Sequence, residues 1–264
     1  MELFYRQLGN GFPIIILHGL YGMSDNWMSI ARQLSNKYQI WLPDQRNHGR
    51  SPHSTIHTYQ AMCNDLLEFI QKHQLHKPIV MGHSMGGKVA MTFAKEYPNL
   101  LSALVVVDIA PKNYQIHEAQ DMHSHHHIIE SLCSLPLNKI DSREKADELL
   151  SDSLPSPLLR AFLLKNLQRS EHGFQWLFNL PVLKENLKHI AGGFDNDWQQ
   201  ATITGFPVLF LKGEQSDYIT PNDIPLIEQI FPAAQIEVIP QSGHWLHAQN
   251  PQAFIAALQK YLNF

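Results

Sequence analysis

Residues 78–91 read Pro78-Ile79-Val80-Met81-Gly82-His83-Ser84-Met85-Gly86-Gly87-Lys88-Val89-Ala90-Met91, and their order decides the fold. Pro78 to Met81 is a short apolar run of the kind that makes a buried parallel strand. From Gly87 onward the apolar residues take up helical period. Between the two, Gly82-His83-Ser84-Met85-Gly86 fits G-x-S-x-G, a pattern that average glycine usage places in roughly one chain in ten of this size. The setting is what makes it specific. A strand that turns sharply into a helix leaves the serine hydroxyl exposed at the bend, and glycine on either side lets backbone approach backbone. Ser84 is therefore the candidate nucleophile, and the Met85 N–H, at the helix N-terminus, is a candidate donor to an oxyanion.

Outward from this turn, short apolar runs alternate with helical segments. Pro13–Leu17, Tyr38–Leu42, Leu104–Val107, Val208–Leu211 and Ile236–Ile239 read as further strands. Trp27–Leu34, Tyr59–Gln74, Gly87–Tyr97, Ile224–Phe231 and Gln252–Leu262 place apolar residues three and four apart. Six strands alternating with helices predict an α/β fold with a mostly parallel sheet covered on both faces. Asn250 is the expected N-cap of the last helix, with Pro251 in its first turn. The alternation stops between about 112 and 200, where helices are expected over 141–152 and 157–169 and no buried strand stands out. Phe174, Trp176 and Phe178 alternate as in an extended segment. The expected organisation is a core of 1–111 and 200–264 with a helical cap over 112–199.

A serine hydroxyl needs a base, and the base needs an acid to orient it. His244 follows the last strand directly, in Ser242-Gly243-His244-Trp245, and is the expected base, with His247 as a fallback. Two aspartates end strands after Ser84: Asp108 after Leu104–Val107, and Asp217 after Val208–Leu211. Asp108 is preferred because its strand is expected beside the nucleophile strand, and Asp217 stays open as the alternative. The second oxyanion donor is expected from His18-Gly19-Leu20-Tyr21-Gly22, through the Leu20 N–H, with His18 itself tying the loop down.

Composition limits the function classes. The chain has 264 residues, 44% hydrophobic and 17% charged, enough for one large packed core. Twenty basic against twenty-four acidic residues give a net charge of −4, with no surplus to neutralise a nucleic-acid backbone. Two cysteines, Cys63 and Cys133, make no disulfide framework, which fits a reducing cytoplasmic setting. No signal-peptide pattern and no apolar run of spanning length predict a soluble protein without stable membrane insertion, either monomer or homodimer. Sixteen histidines stand out. His123 and His127 would share a helical face as metal ligands do, yet no carboxylate or cysteine lies at ligand spacing, and a solvated helix is preferred with no metal or cofactor.

With these residues assembled, the chain resembles the α/β-hydrolase superfamily over its whole length. The segments Asp44-Gln45-Arg46-Asn47-His48-Gly49-Arg50-Ser51-Pro52, Asp108-Ile109-Ala110-Pro111, Phe178–Leu183 and Gly243–Ala248 resemble those of small YbfF-like esterases. The resemblance implies a serine hydrolase acting on esters or acyl thioesters, with chain order Ser, acid, His. In the common pattern of the superfamily the acid stands three residues past the glycine that ends the penultimate strand, and here that position is Ser216. The YbfF-like group shares this departure and carries an Asp in the D-I-A-P segment, which favours Asp108. A cofactor-free lyase or perhydrolase on the same fold, or a receptor that retains it, are the competing functions. Asp44–Ser51 is expected to be a structural turn beside the site.

Overall fold

The computed structural model describes residues 1–114, 119–171, 173–194 and 196–262. Seven strands form the main sheet: β1 (Tyr5–Leu8), β2 (Phe12–Leu17), β3 (Tyr38–Pro43), β4 (Ile79–His83), β5 (Ala103–Val107), then, after the segment that leaves the sheet, Val208–Gly213 and Ala234–Ile239. Their order is β1-β3-β2-β4-β5, followed by Val208–Gly213 and Ala234–Ile239 at the far edge. All neighbours are parallel except β1 with β3. The expected α/β fold is thus present, with one strand more than the sequence pattern revealed. β1 was missed because YRQL is half-exposed at an edge and shows no apolar run.

The central strands are buried on both sides, so their side chains divide between two cores. Ile14, Ile16, Met81, Val105 and Leu209 face one, with α1 (Met28–Leu34) and the C-terminal helix Pro251–Tyr261 packed over them. Ile15, Leu17, Val80, Leu104 and Phe210 face the other, under α2 (Tyr59–Lys72) and α3 (Met85–Glu96). Asn250 caps the last helix through a 3.2 Å bond from the Ala253 N–H.

Between β5 and the strand at Val208 the chain forms helices α4 (Ala119–Ser134), α5 (Arg143–Leu150) and α6 (Pro157–Leu164), a small hairpin of β6 (Leu167–Ser170) and β7 (Gly173–Trp176), and α7 (Leu180–Glu185) and α8 (Leu187–Ala191). The helix expected over 157–169 ends at Leu164 because the chain turns there into the hairpin. That hairpin pairs Leu167 with Trp176 and is two strands only, too short and too polar outward to announce itself as buried strands.

Two features set up the site. The chain runs from β2 outward to β3 and then returns to β4 on the other side, so the carboxyl ends of β2 and β4 flank a topological switch point, where ligands of open α/β sheets bind. In the register of β4 and β5, His83 pairs with Val107, so Ser84 and Asp108 leave adjacent strand tips side by side. No helix among the described residues is long and apolar enough to cross a membrane.

Candidate active site

Ser84 occupies the bend between β4 and α3 with φ 52° and ψ −119°, a backbone conformation that non-glycine residues rarely adopt. Two backbone bonds hold it there: its N–H donates to the Val107 carbonyl at 3.0 Å, and its carbonyl accepts from the Lys88 N–H at 3.1 Å. The flanking glycines are needed for close approach. A Cβ on Gly82 would stand 2.0 Å from the Gly86 carbonyl oxygen, and one on Gly86 would stand 2.5 Å from that of Leu17.

Asp108, also at positive φ (52°), is fully buried at the tip of β5. Its Oδ1 accepts from the Gly213 N–H at 2.9 Å, while Oδ2 accepts from the Ser216 hydroxyl and lies 2.8 Å from His244 Nδ1. The imidazole of His244 stacks on the Tyr218 ring at 3.9 Å between centroids, and the His244 carbonyl accepts from His83 Nε2 at 2.8 Å. With Nδ1 committed to the carboxylate, Nε2 is the ring atom that remains for proton transfer. Asp217 is exposed and makes no contact with His244 among the described residues. His247 is buried and stacked flat on Trp27 at 4.0 Å, with burial pulling its pKa down to about 3.

The loop after β2 is fixed by neutral histidines. His18 donates from Nδ1 to the Gly19 carbonyl at 2.8 Å and accepts at Nε2 from the Gln45 N–H at 2.9 Å. His48 repeats the arrangement, with Nδ1 donating to the Arg46 carbonyl at 3.0 Å and Nε2 accepting from the Tyr21 N–H at 3.2 Å. Each ring is thereby held to one tautomer, and burial lowers His18 to about 4 and His48 to about 3. The N–H groups of Leu20 and Met85 have no backbone acceptor among the described residues, and both residues line the space at Ser84. Asp44 spends its carboxylate on the backbone N–H groups of Ser24 (2.6 Å) and Arg50 (2.9 Å), and Arg46 forms a buried two-point ion pair with Asp65.

A cavity opens at Ser84, walled by Leu20, Met85, Ile109, Leu187 and Ile190 and entered by His125, Tyr218 and Lys88. Of the histidine tract, His125 faces this cavity, His127 Nε2 donates to the Ser153 carbonyl at 2.6 Å, and the side chain of His123 lies outside the described residues. Among the described residues no three His, Cys, Asp or Glu side chains are grouped as metal ligands.

Sequence reasoning passed over three contributors. Ser216 stands where the superfamily's usual acid would, and its hydroxyl supports Asp108 from 108 positions away. Tyr218 backs the His244 ring, and Lys88 brings a cation to the cavity. Of these only Lys88 carried a signal, four residues after Ser84 and on the same helix face.

Comparison with known proteins identifies the fold family. Residues 13–132 match the family model of the alpha/beta hydrolase fold. The chain is 37% identical over 260 residues to the zebrafish (Danio rerio) sn-1-specific diacylglycerol lipase ABHD11, covering 96% of this chain and 79% of that protein. It is 34% identical over 254 residues to esterase YbfF of Escherichia coli, covering 96% and 94%. A solved marine microorganism esterase superposes with a TM-score of 0.93 at 44% identity over 99% of both chains.

Proposed function

Because the chain belongs to the α/β-hydrolase fold family, among its esterases and lipases, we propose that it cleaves carboxylic esters, and acyl thioesters by the same chemistry, through Ser84, His244 and Asp108. The observation that carries the reading is the 2.8 Å contact between His244 Nδ1 and buried Asp108, beside a serine in a strained strand-to-helix bend. His244 Nε2 takes the Ser84 proton as Oγ attacks the acyl carbonyl, and the N–H groups of Leu20 and Met85 hold the charge that builds on the carbonyl oxygen. Asp108 keeps the imidazole in the useful tautomer and stabilises its protonated form. The alcohol or thiol leaves with the proton from His244, and water activated by the same ring releases the acid from Ser84. No metal or organic cofactor has a step in this scheme.

The segment 112–199 acts in this reading as a cap: Leu187 and Ile190 form part of the cavity wall, so substrate fit is set partly by α8. Labelling by a fluorophosphonate together with turnover of a nitrophenyl-ester series from acetate to decanoate, run beside acyl-CoA substrates, tests the proposal. Labelling and turnover that vanish in Ser84→Ala are expected. Near-native turnover in that variant would overturn it.

A further inference from the structure

The cavity at Ser84 is apolar except for the reaction centre, a histidine, tyrosine hydroxyls and one lysine. Lys88 lies one helical turn beyond Ser84, about 6 Å further along α3 and on the same face. Its side chain is only 2% exposed. Nζ donates to the carbonyls of Ala191 (2.9 Å) and Gly192 (2.6 Å) at the end of α8, and it is ringed by Tyr114, Phe194 and Tyr59 at 4.9, 5.0 and 5.6 Å from their centroids.

An ammonium has three donors, and two carbonyls account for two of them. Aromatic faces attract a cation without neutralising it. No carboxylate pairs with Lys88 among the described residues; the nearby Asp223 is engaged by Lys112, whose own ammonium lies 4.7 Å from the Tyr114 ring. Burial first, and the like charge of Lys112 second, push the Lys88 ammonium well below the ordinary lysine range. A buried cation without a counter-ion is costly. Anchoring two carbonyls needs only a neutral amine, and it leaves the third N–H donor of the protonated form unassigned. An anion arriving with the substrate would take that donor and restore the charged form, since a charge-assisted bond in a dry cavity is strong.

We propose that Lys88 receives a carboxylate at the far end of the acyl group, so that the preferred substrates are short ω-carboxyacyl esters or thioesters. Ser84 and Lys88 stand one turn apart on the same helix, so short ω-carboxyacyl groups, succinyl and glutaryl first, are the ones to compare. This inference rests on the assignment of Ser84 as the nucleophile.

The test compares kcat/KM for monomethyl succinate, glutarate and adipate with methyl butanoate, pentanoate and hexanoate, using the wild-type protein, Lys88→Met and Lys88→Arg, with thermal unfolding of each. The wild type is expected to favour the half-esters by about tenfold or more, with a maximum at succinate or glutarate. In Lys88→Met that ratio should fall by at least about tenfold, and Lys88→Arg should keep part of it. Should Lys88→Met fail to fold, inhibition of wild-type methyl pentanoate hydrolysis decides: glutarate must compete more tightly than pentanoate. A wild-type ratio at or below one overturns the carboxylate site while leaving the esterase reading intact. An equal loss on both ester series in Lys88→Met also overturns it, because an anchoring role would do that. Absence of turnover with every ester would overturn the assignment of Ser84, and this inference with it.

Discussion

Asp108 gathers three donors, the Gly213 N–H, the Ser216 hydroxyl and His244, on one carboxylate that water does not reach. An amide in its place can present its NH₂ to the imidazole and select the wrong tautomer, so Asp108→Asn is expected to lower kcat by about 10⁴. Asp217→Asn, on an exposed side chain, should stay within about twofold on the principle that surface changes away from a network are small. Steady-state kinetics on one ester with both variants checks the pair; a larger loss in Asp217→Asn would reverse the roles. Ser216→Ala removes one donor from Asp108 and should cost about tenfold in kcat/KM, of the order of one hydrogen bond to a charged group. A thermal midpoint within a few degrees of wild type would separate that effect from unfolding. From sequence alone both aspartates ended strands after Ser84, and the choice turned on which strand lies beside β4. Ser216 was beyond sequence reasoning altogether, since a hydroxyl's partner across two strand ends is set by register.

At the scale of elements, the bend between β4 and α3 is legible because its demands are local: an apolar run, two glycines and a helix start all lie within fourteen consecutive residues. The buried strands were legible for the same reason, since double-sided burial requires uninterrupted apolar residues. Elements defined by an edge or by a partner were not. β1 shows alternating half-exposure, and β6 and β7 depend on each other, so a helical pattern through 157–169 concealed the turn after Leu164. The close approach at the bend yields a prediction that belongs to this scale. Gly86→Ala would drive a methyl to 2.5 Å from the Leu17 carbonyl oxygen, which is backbone of β2 and cannot rotate away. The expected cost is about 1–3 kcal/mol of overpacking, a lower thermal midpoint, and loss of ester turnover beyond what the stability change explains, because β2 also positions the Leu20 loop. Unchanged midpoint and turnover would show that the two backbones can separate freely.

For the whole molecule, the sixteen histidines matter less as a count than for where burial puts several of them. Burial lowers His18 to about 4 and His48, His57 and His247 to about 3. In the unfolded chain each returns to about 6.5. Above pH 6.5 both states are neutral at these sites and they leave stability independent of pH. Below it the unfolded chain takes up protons that the folded protein refuses, so each histidine removes about 1.4 kcal/mol of stability per pH unit until the pH reaches its folded value. The fall therefore lies between about pH 6.5 and pH 3–4, and it is steep because four groups act together. It also reaches the site, since a proton on Nε2 of His18 or His48 would oppose the N–H groups of Gln45 and Tyr21 that now donate to those atoms. Urea unfolding at pH 7.5, 6.0, 5.0 and 4.5 is expected to show a flat region and then a marked drop. His247→Phe keeps an aromatic ring against Trp27 while removing one titrating group, so the slope below pH 6 should lessen by about 1.4 kcal/mol per pH unit. An identical slope in that variant would mean that His247 takes up its proton in the folded state, and that acid sensitivity arises elsewhere.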